Sequence, residues 1–281
     1  EEAHRDLMRL LAREGQRSAA LMQYEKCRRV LAKELGVAPT AETETLYALI
    51  SANRFADTES PQTPYILPVA PTSFVGRGVE LDDIAGLLSA PDCRLVTLLG
   101  PGGIGKSRLA LHIAEAHLGL FAHGVWFVPL ATVASLDGLI SAIVDTLQIA
   151  VHSHQDLASR VLDYARAREM LLILDGFEHV LDEGAPFLTR LLRAAPGVVL
   201  LVTSRERLNL QEEWVYELHG LDYPTGTEST PTPSSAMELF FQRARQVNRQ
   251  LPLTDENVSA VTHICRLVEG MPLAVELAAA W

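Results

Sequence analysis

Cysteine is scarce: three residues, Cys27, Cys93 and Cys265, are scattered through 281 positions with no C-x-x-C pair among them. That excludes a disulfide framework and a cysteine-based zinc site, and it fits a reducing compartment. Apolar runs are also short. None reaches the ~20 residues a bilayer-spanning helix needs, and the start, Glu-Glu-Ala-His-Arg-Asp, has no signal-peptide layout. A cytoplasmic location is the expectation. Basic charge is in deficit, with 24 Lys and Arg against 35 Asp and Glu, a net charge of −11. A broad electrostatic surface for nucleic acid within these residues is thereby disfavoured. Aromatics make up 6%, and Trp126, Phe127 and Trp214 sit in strand or core contexts rather than as base-stacking platforms. No Ser-His-Asp or Cys-His constellation is recognisable. His152 and His154 form an H-x-H pair without a carboxylate or cysteine at ligand spacing, so they read as polar loop. The chain lacks an initiating Met and stops at Trp281 inside an apolar helical pattern. Both ends read as cuts in a longer protein.

What is present starts with Leu95-Val-Thr-Leu-Leu-Gly-Pro-Gly-Gly-Ile-Gly-Lys-Ser107. A short apolar run enters a glycine-rich loop with the spacing G-x-x-x-x-G-K-S, the phosphate-binding P-loop pattern. Glycines let the backbone turn sharply and aim consecutive N–H groups at a polyphosphate. Gly102, Gly103, Ile104, Gly105, Lys106, Ser107 and Arg108 are the expected cradle, and a helix starting near Lys106 adds its positive dipole end. Lys106 would reach the β- and γ-phosphates of ATP or ADP, and the Ser107 hydroxyl would ligate Mg²⁺.

Hydrophobic content of 48% and charged content of 21% fit a globular chain with room for one large domain or a few smaller ones. Residues 1–54 read as helices, with Ala20, Tyr24, Cys27 and Leu31 on one stripe and Gly36 placed as a helix C-cap. Thr40 or Thr43 caps a third helix, and Glu42 and Glu44 read as first-turn charges. The spacing of Gly15, Ala20 and Tyr24 is similar to the second helix of a tetratricopeptide hairpin. Residues 55–72, with Pro61, Pro64, Pro68 and Pro71, read as an extended linker. Residues 73–223 alternate apolar strands with helices, which is the signature of a mainly parallel sheet covered on both faces. Five strands are expected: Leu95–Leu99, Val125–Pro129, Leu171–Asp175, Val198–Thr203 and, at the edge, Trp214–Leu218. Helices are expected near 107–118, 136–147, 157–167 and 186–194. A Thr/Pro/Ser-rich boundary then leads into a small helical domain over 224–281.

Two further strands carry chemistry. Met170-Leu-Leu-Ile-Leu-Asp175 ends in a carboxylate, the Walker B pattern, where Asp175 can hold the Mg²⁺ shell. The next position is Gly176 rather than a second acid, which points to slow or conditional hydrolysis; Glu178 is the nearest substitute for orienting water, beside its plainer reading as a solvated loop acid. Val198-Val-Leu-Leu-Val-Thr-Ser-Arg205 ends in an arginine that can sense a γ-phosphate.

Residues 1–54, with Leu-Met-Arg-Leu-Leu-Ala-Arg-Glu-Gly and Leu-Ala-Lys-Glu-Leu-Gly-Val-Ala-Pro-Thr-Ala-Glu-Thr, resemble the end of a bacterial transcriptional activator domain. That helical module follows a DNA-binding winged helix in SARP-type regulators. From about residue 72 onward, Phe-Val-Gly-Arg…Glu, Gly-Pro-Gly-Gly-Ile-Gly-Lys-Ser, Leu-Leu-Ile-Leu-Asp, Thr-Ser-Arg and Gly-Met-Pro-Leu-Ala resemble, in order, the NB-ARC class of STAND signal-transduction ATPases. The resemblance implies that Val75, Gly76 and Arg77 lie against adenine, that Pro272 packs near the base from the helical domain, and that Arg205 is the sensor. It also implies self-association on activation, DNA contact through an upstream winged helix, and an inducer bound by a downstream sensor. A STAND ATPase driving a non-DNA effector, or a constitutive ATPase, are the rival expectations.

Overall fold

The computed structural model of the chain describes residues 1–13, 17–34, 39–51, 65–68, 73–150, 156–224, 234–248 and 254–281. Two compact units divide it, Glu1–Thr63 and Pro64–Trp281. His152, His154 and the predicted cap Gly36 lie outside the described residues.

In the first unit, helices α1 (Glu2–Arg13), α2 (Arg17–Glu34) and α3 (Ala41–Ser51) share a small core. The stripe expected on α2 is buried throughout, and Met8, Leu46 and Ile50 complete its packing. Tyr24 stacks on Tyr47 with ring centroids 4.0 Å apart. Its hydroxyl donates to Glu44 Oε1 at 2.7 Å, so a large side chain is buried with its polar tip satisfied.

The second unit contains a sheet of six strands, β1 (Tyr65–Ile66), β2 (Leu95–Leu99), β3 (Val125–Pro129), β4 (Met170–Asp175), β5 (Val198–Ser204) and β6 (Glu213–Glu217), in the order β1-β3-β4-β5-β2-β6. Every pairing is parallel. Side chains alternate between faces, as the two-residue period of a strand requires. Met170, Leu172 and Leu174 of β4 and Val198, Leu200 and Val202 of β5 face one core. Helices α6 (Leu136–Thr146), α7 (Leu157–Ala165) and α8 (Leu181–Ala194) cover it. Val96, Leu98, Leu171, Ile173 and Leu201 face the other core, under α4 (Gly78–Ser89) and α5 (Lys106–Ala116).

Two expectations are corrected. The sheet has six strands rather than five: β1 pairs its two residues with Val125 and Trp126, inside the stretch read as linker. So short a strand leaves no periodicity to detect, and its prolines mask it. Helix α8 begins at Leu181, not at Pro186, because Pro186 sits inside it. Pro186 forgoes one backbone hydrogen bond near the amino end, and burial of Ala185, Phe187 and Leu188 outweighs that loss.

Beyond β6, helices α9 (Ser235–Val247), α10 (Asp255–Leu267) and α11 (Pro272–Ala279) gather around Ala236, Phe240, Cys265 and Val275. The segment leaving β6 crosses the turn before α11 at two glycines. A Cβ on Gly220 would stand 1.9 Å from the Glu269 carbonyl oxygen, and one on Gly270 would stand 2.0 Å from that of Leu221. Gly270 also has φ +65, and its carbonyl accepts the Leu221 N–H at 2.8 Å.

Leu172 is fully buried in the central strand. Leu172→Ala is expected to cost about 2–5 kcal/mol, read as a lower urea midpoint with unchanged slope. Burial holds the Cys93 thiol above its ordinary pKa and pushes Cys265 up to about 11. Both are therefore expected to react with a disulfide-exchange reagent at pH 8 more slowly than free cysteine, and to become reactive on denaturation.

Candidate nucleotide site

Parallel pairing brings the carboxyl ends of all strands to one edge. Thr203 of β5 sits opposite Asp175 on one side and Leu98 on the other. Strand β5 therefore lies between the P-loop strand β2 and the Walker B strand β4. Nothing local in the sequence marks this order, which puts Arg205 between the groups it would have to serve.

The loop after β2 has the expected form. Gly103 and Gly105 take φ of +81 and +99, which side chains resist. Helix α5 starts at Lys106 with no side-chain cap, so its first N–H groups are left for another acceptor. Lys106 is 9% exposed and donates to the carbonyls of Gly100 at 2.7 Å and Pro101 at 3.1 Å. Burial pushes its ammonium below the ordinary lysine range; Glu178 opposes that shift, Arg205 adds to it and Asp175 opposes it. Those four side chains thus share one electrostatic neighbourhood.

Asp175 is held in place: Thr203 Oγ1 donates to its Oδ1 at 2.7 Å while accepting the Gly176 N–H at 2.8 Å. Arg205 Nε pairs with Glu178 Oε1 at 3.0 Å. Its guanidinium also lies over the P-loop, since a Cβ on Gly102 would meet Nη2 at 3.1 Å. Glu178 is not the solvated loop acid of the plainer expectation. Its side chain is 14% exposed, and its Oε2 is buried with no donor among the described residues.

A second pocket adjoins the loop, lined by Phe74, Val75, Arg77, Ile104, Gly105, Arg108, Leu221, Leu239 and Pro272. It is walled by the entry to α4, by the P-loop helix and by the helical group together. Gly76 is not in its lining and faces Ser235 instead. Arg77 does more than line it. Its guanidinium pairs with Glu80 at 2.6 Å and donates to the carbonyls of Ile104 at 3.2 Å and His219 at 2.6 Å. It ties α4, the P-loop and the exit from β6 together.

Helix α11 touches the P-loop directly. The Leu273 N–H, one of the first-turn donors that a helix cannot satisfy itself, donates to the Gly103 carbonyl at 3.2 Å. A Cβ on Gly103 would meet that of Leu273 at 2.8 Å. Glu276, unnoticed in the sequence, joins Arg108 of α5 at 3.2 Å to Arg243 of α9 at 2.7 Å. No spacing rule relates residues 168 positions apart, so only the fold reveals that link.

The donor set fits Mg²⁺-nucleotide. Turned N–H groups and Lys106 suit phosphates, and the exposed Ser107 with the fixed Asp175 suits a cation that keeps most of its ligands as water and phosphate oxygens. Among the described residues no group of three or more His, Cys, Asp or Glu is placed to hold a metal by itself. No helix described is long and apolar enough to cross a membrane.

Comparison with known proteins agrees with this geometry. Residues 1–51 match the bacterial transcriptional activator domain, and residues 94–228 match the NACHT domain. An uncharacterised protein of Mycobacterium tuberculosis is 38% identical over 209 residues, 74% of this chain and 50% of that protein. The regulatory protein AfsR of Streptomyces griseus is 30% identical over 222 residues, 72% of this chain and 22% of AfsR. This chain thus spans half or less of the length of these relatives. The crystal structure of Cdc6p from Pyrobaculum aerophilum shares the fold at a TM-score of 0.50 and 16% identity, over 75% of this chain and 62% of that one. The chain accordingly carries a NACHT domain, a P-loop NTPase module, behind a bacterial transcriptional activator domain.

Proposed function

We propose that this chain is the ATP/ADP-dependent switch of a bacterial transcriptional regulator. The observation that carries it is the continuity of one nucleotide site across two structural groups. Lys106, Asp175, Glu178 and Arg205 surround the phosphate position, while the base pocket is closed from the other side by Pro272 and Leu239 of the helical group. A bound nucleotide would contact both groups at once, so its phosphate count can bias how they pack. The activator-domain match supplies the output, and the finer NB-ARC reading rests on the ordered motifs, Gly270-Met-Pro272 included.

In this reading Lys106 and the loop N–H groups bind the phosphates, Ser107 and Asp175 hold Mg²⁺, and Val75, Arg77, Arg108 and Pro272 enclose the base. Mg²⁺ supplies charge neutralisation at the phosphates when bound. Hydrolysis is slow and inducer-dependent, because the position beside Asp175 is Gly176. ADP keeps the Arg108–Glu276–Arg243 tie closed; ATP with inducer opens it and permits self-association. DNA contact comes from a winged helix ahead of Glu1, and inducer contact from a sensor beyond Trp281.

Lys106→Ala is expected to abolish ATP and ADP binding in calorimetry while leaving the circular dichroism spectrum unchanged. Unaltered affinity would overturn the site assignment. Glu276→Gln removes the charge that joins two arginines on different helices. It is expected to speed release of a fluorescent ADP analogue by about three- to tenfold in stopped-flow displacement, the scale of a partly buried ion pair.

A further inference from the structure

The placement of Arg205 raises a question that its role as a sensor does not answer. A guanidinium intended for a γ-phosphate already has an anionic partner, the Glu178 carboxylate 3.0 Å from its Nε. The same guanidinium rests on the P-loop at Gly102, part of the cradle expected to hold the phosphates. Glu178 itself is nearly enclosed, and its second oxygen is buried without a donor among the described residues. Asp175, by contrast, is anchored by the Thr203 hydroxyl and needs nothing from Arg205. The two carboxylates are therefore in different situations: one is fixed, and the other is held by a cation that has an alternative use.

We infer that Arg205 and Glu178 form an exchangeable pair, broken when a γ-phosphate draws Arg205 away and re-formed when only ADP is present. The inference rests on the nucleotide-site reading above. Charge balance makes the exchange reasonable. Lys106 and Arg205 are matched by Asp175 and Glu178, so the site is near neutral before phosphate arrives. A third phosphate adds anionic oxygens that compete with Glu178 for the same planar donor fork. Arg205 is the mobile partner, since its side chain is 59% exposed while that of Glu178 is 14% exposed. Exchange leaves Glu178 unpaired at the edge of the site only in the triphosphate state. Arg205 is thus a positioning residue for Glu178 as well as a phosphate contact. In the diphosphate state Glu178 and Arg205 stay engaged with each other.

The pair makes ATP binding work against an ion pair that ADP binding leaves intact. Removing the Glu178 charge should therefore favour triphosphate over diphosphate, and only while Arg205 is present. The test is a double-mutant cycle on the ratio of affinities for ADP and a non-hydrolysable ATP analogue, measured by calorimetry with Mg²⁺ on this chain. Glu178→Gln is expected to shift the ratio toward the analogue by about fivefold or more, the low end of ordinary coupling between sites. Arg205→Ala is expected to shift it the other way, and the double variant to match Arg205→Ala alone. Arg205→Lys, which keeps the charge but not the fork, should recover only part of the discrimination. A Glu178→Gln effect of equal size with and without Arg205 would reduce the effect to bulk charge and overturn the exchange. An unchanged ratio in Glu178→Gln would overturn it as well. Failure of the unsubstituted chain to bind either nucleotide would instead overturn the nucleotide-site reading.

Discussion

Parallel pairing of six strands puts every carboxyl end along one edge of the sheet, where Leu99, Asp175 and Ser204 give way to loops. The arrangement depends on both faces being buried. Strands that run parallel need crossover helices, and those helices must find apolar side chains above and below. Met170, Leu172 and Leu174 answer one set of helices, and Leu171 and Ile173 the other. With that sandwich in place, Asp175 and Arg205 need no special local device to converge. They are simply the residues at which neighbouring strands run out.

Convergence brings electrostatic cost, which the site distributes. Lys106 is buried against two backbone carbonyls, and Glu178 and Asp175 oppose the downward pKa shift that burial causes. Asp175 is satisfied by the Thr203 hydroxyl, which also accepts the Gly176 N–H. Glu178 is satisfied on one oxygen only, by the most exposed of the four charges. Two groups are firmly placed and two are held by each other.

Much of this was legible in the sequence, for identifiable reasons. The strands from Leu95, Val125, Met170 and Val198 are runs of mostly apolar buried residues bounded by glycine, proline or charge, and burial on both faces makes such runs continuous. The P-loop is legible because its spacing is itself the mechanism. Where pattern is too short it fails: β1 has two residues among prolines, and nothing in them marks pairing with Val125 and Trp126. The insertion of β5 between β2 and β4 is tertiary and leaves no local trace. Glu276 looks like any charged residue on a helix until α5 and α9 each present it an arginine. Glu178 was visible as an acid, but its burial and its partner were not.

The glycine crossing at Gly220 and Gly270 has a mechanical meaning. Two backbones that pass with no room for a methyl group cannot slide along one another without collision. The point is also pinned by the Leu221 N–H to Gly270 carbonyl bond. Any displacement of helices α9 to α11 relative to the sheet would have to break this contact as well as the Leu273–Gly103 hydrogen bond and the Arg108–Glu276 pair. Pro272 and Leu273, immediately beyond the crossing, are thereby set against the P-loop, where the Leu273 N–H donates to the Gly103 carbonyl.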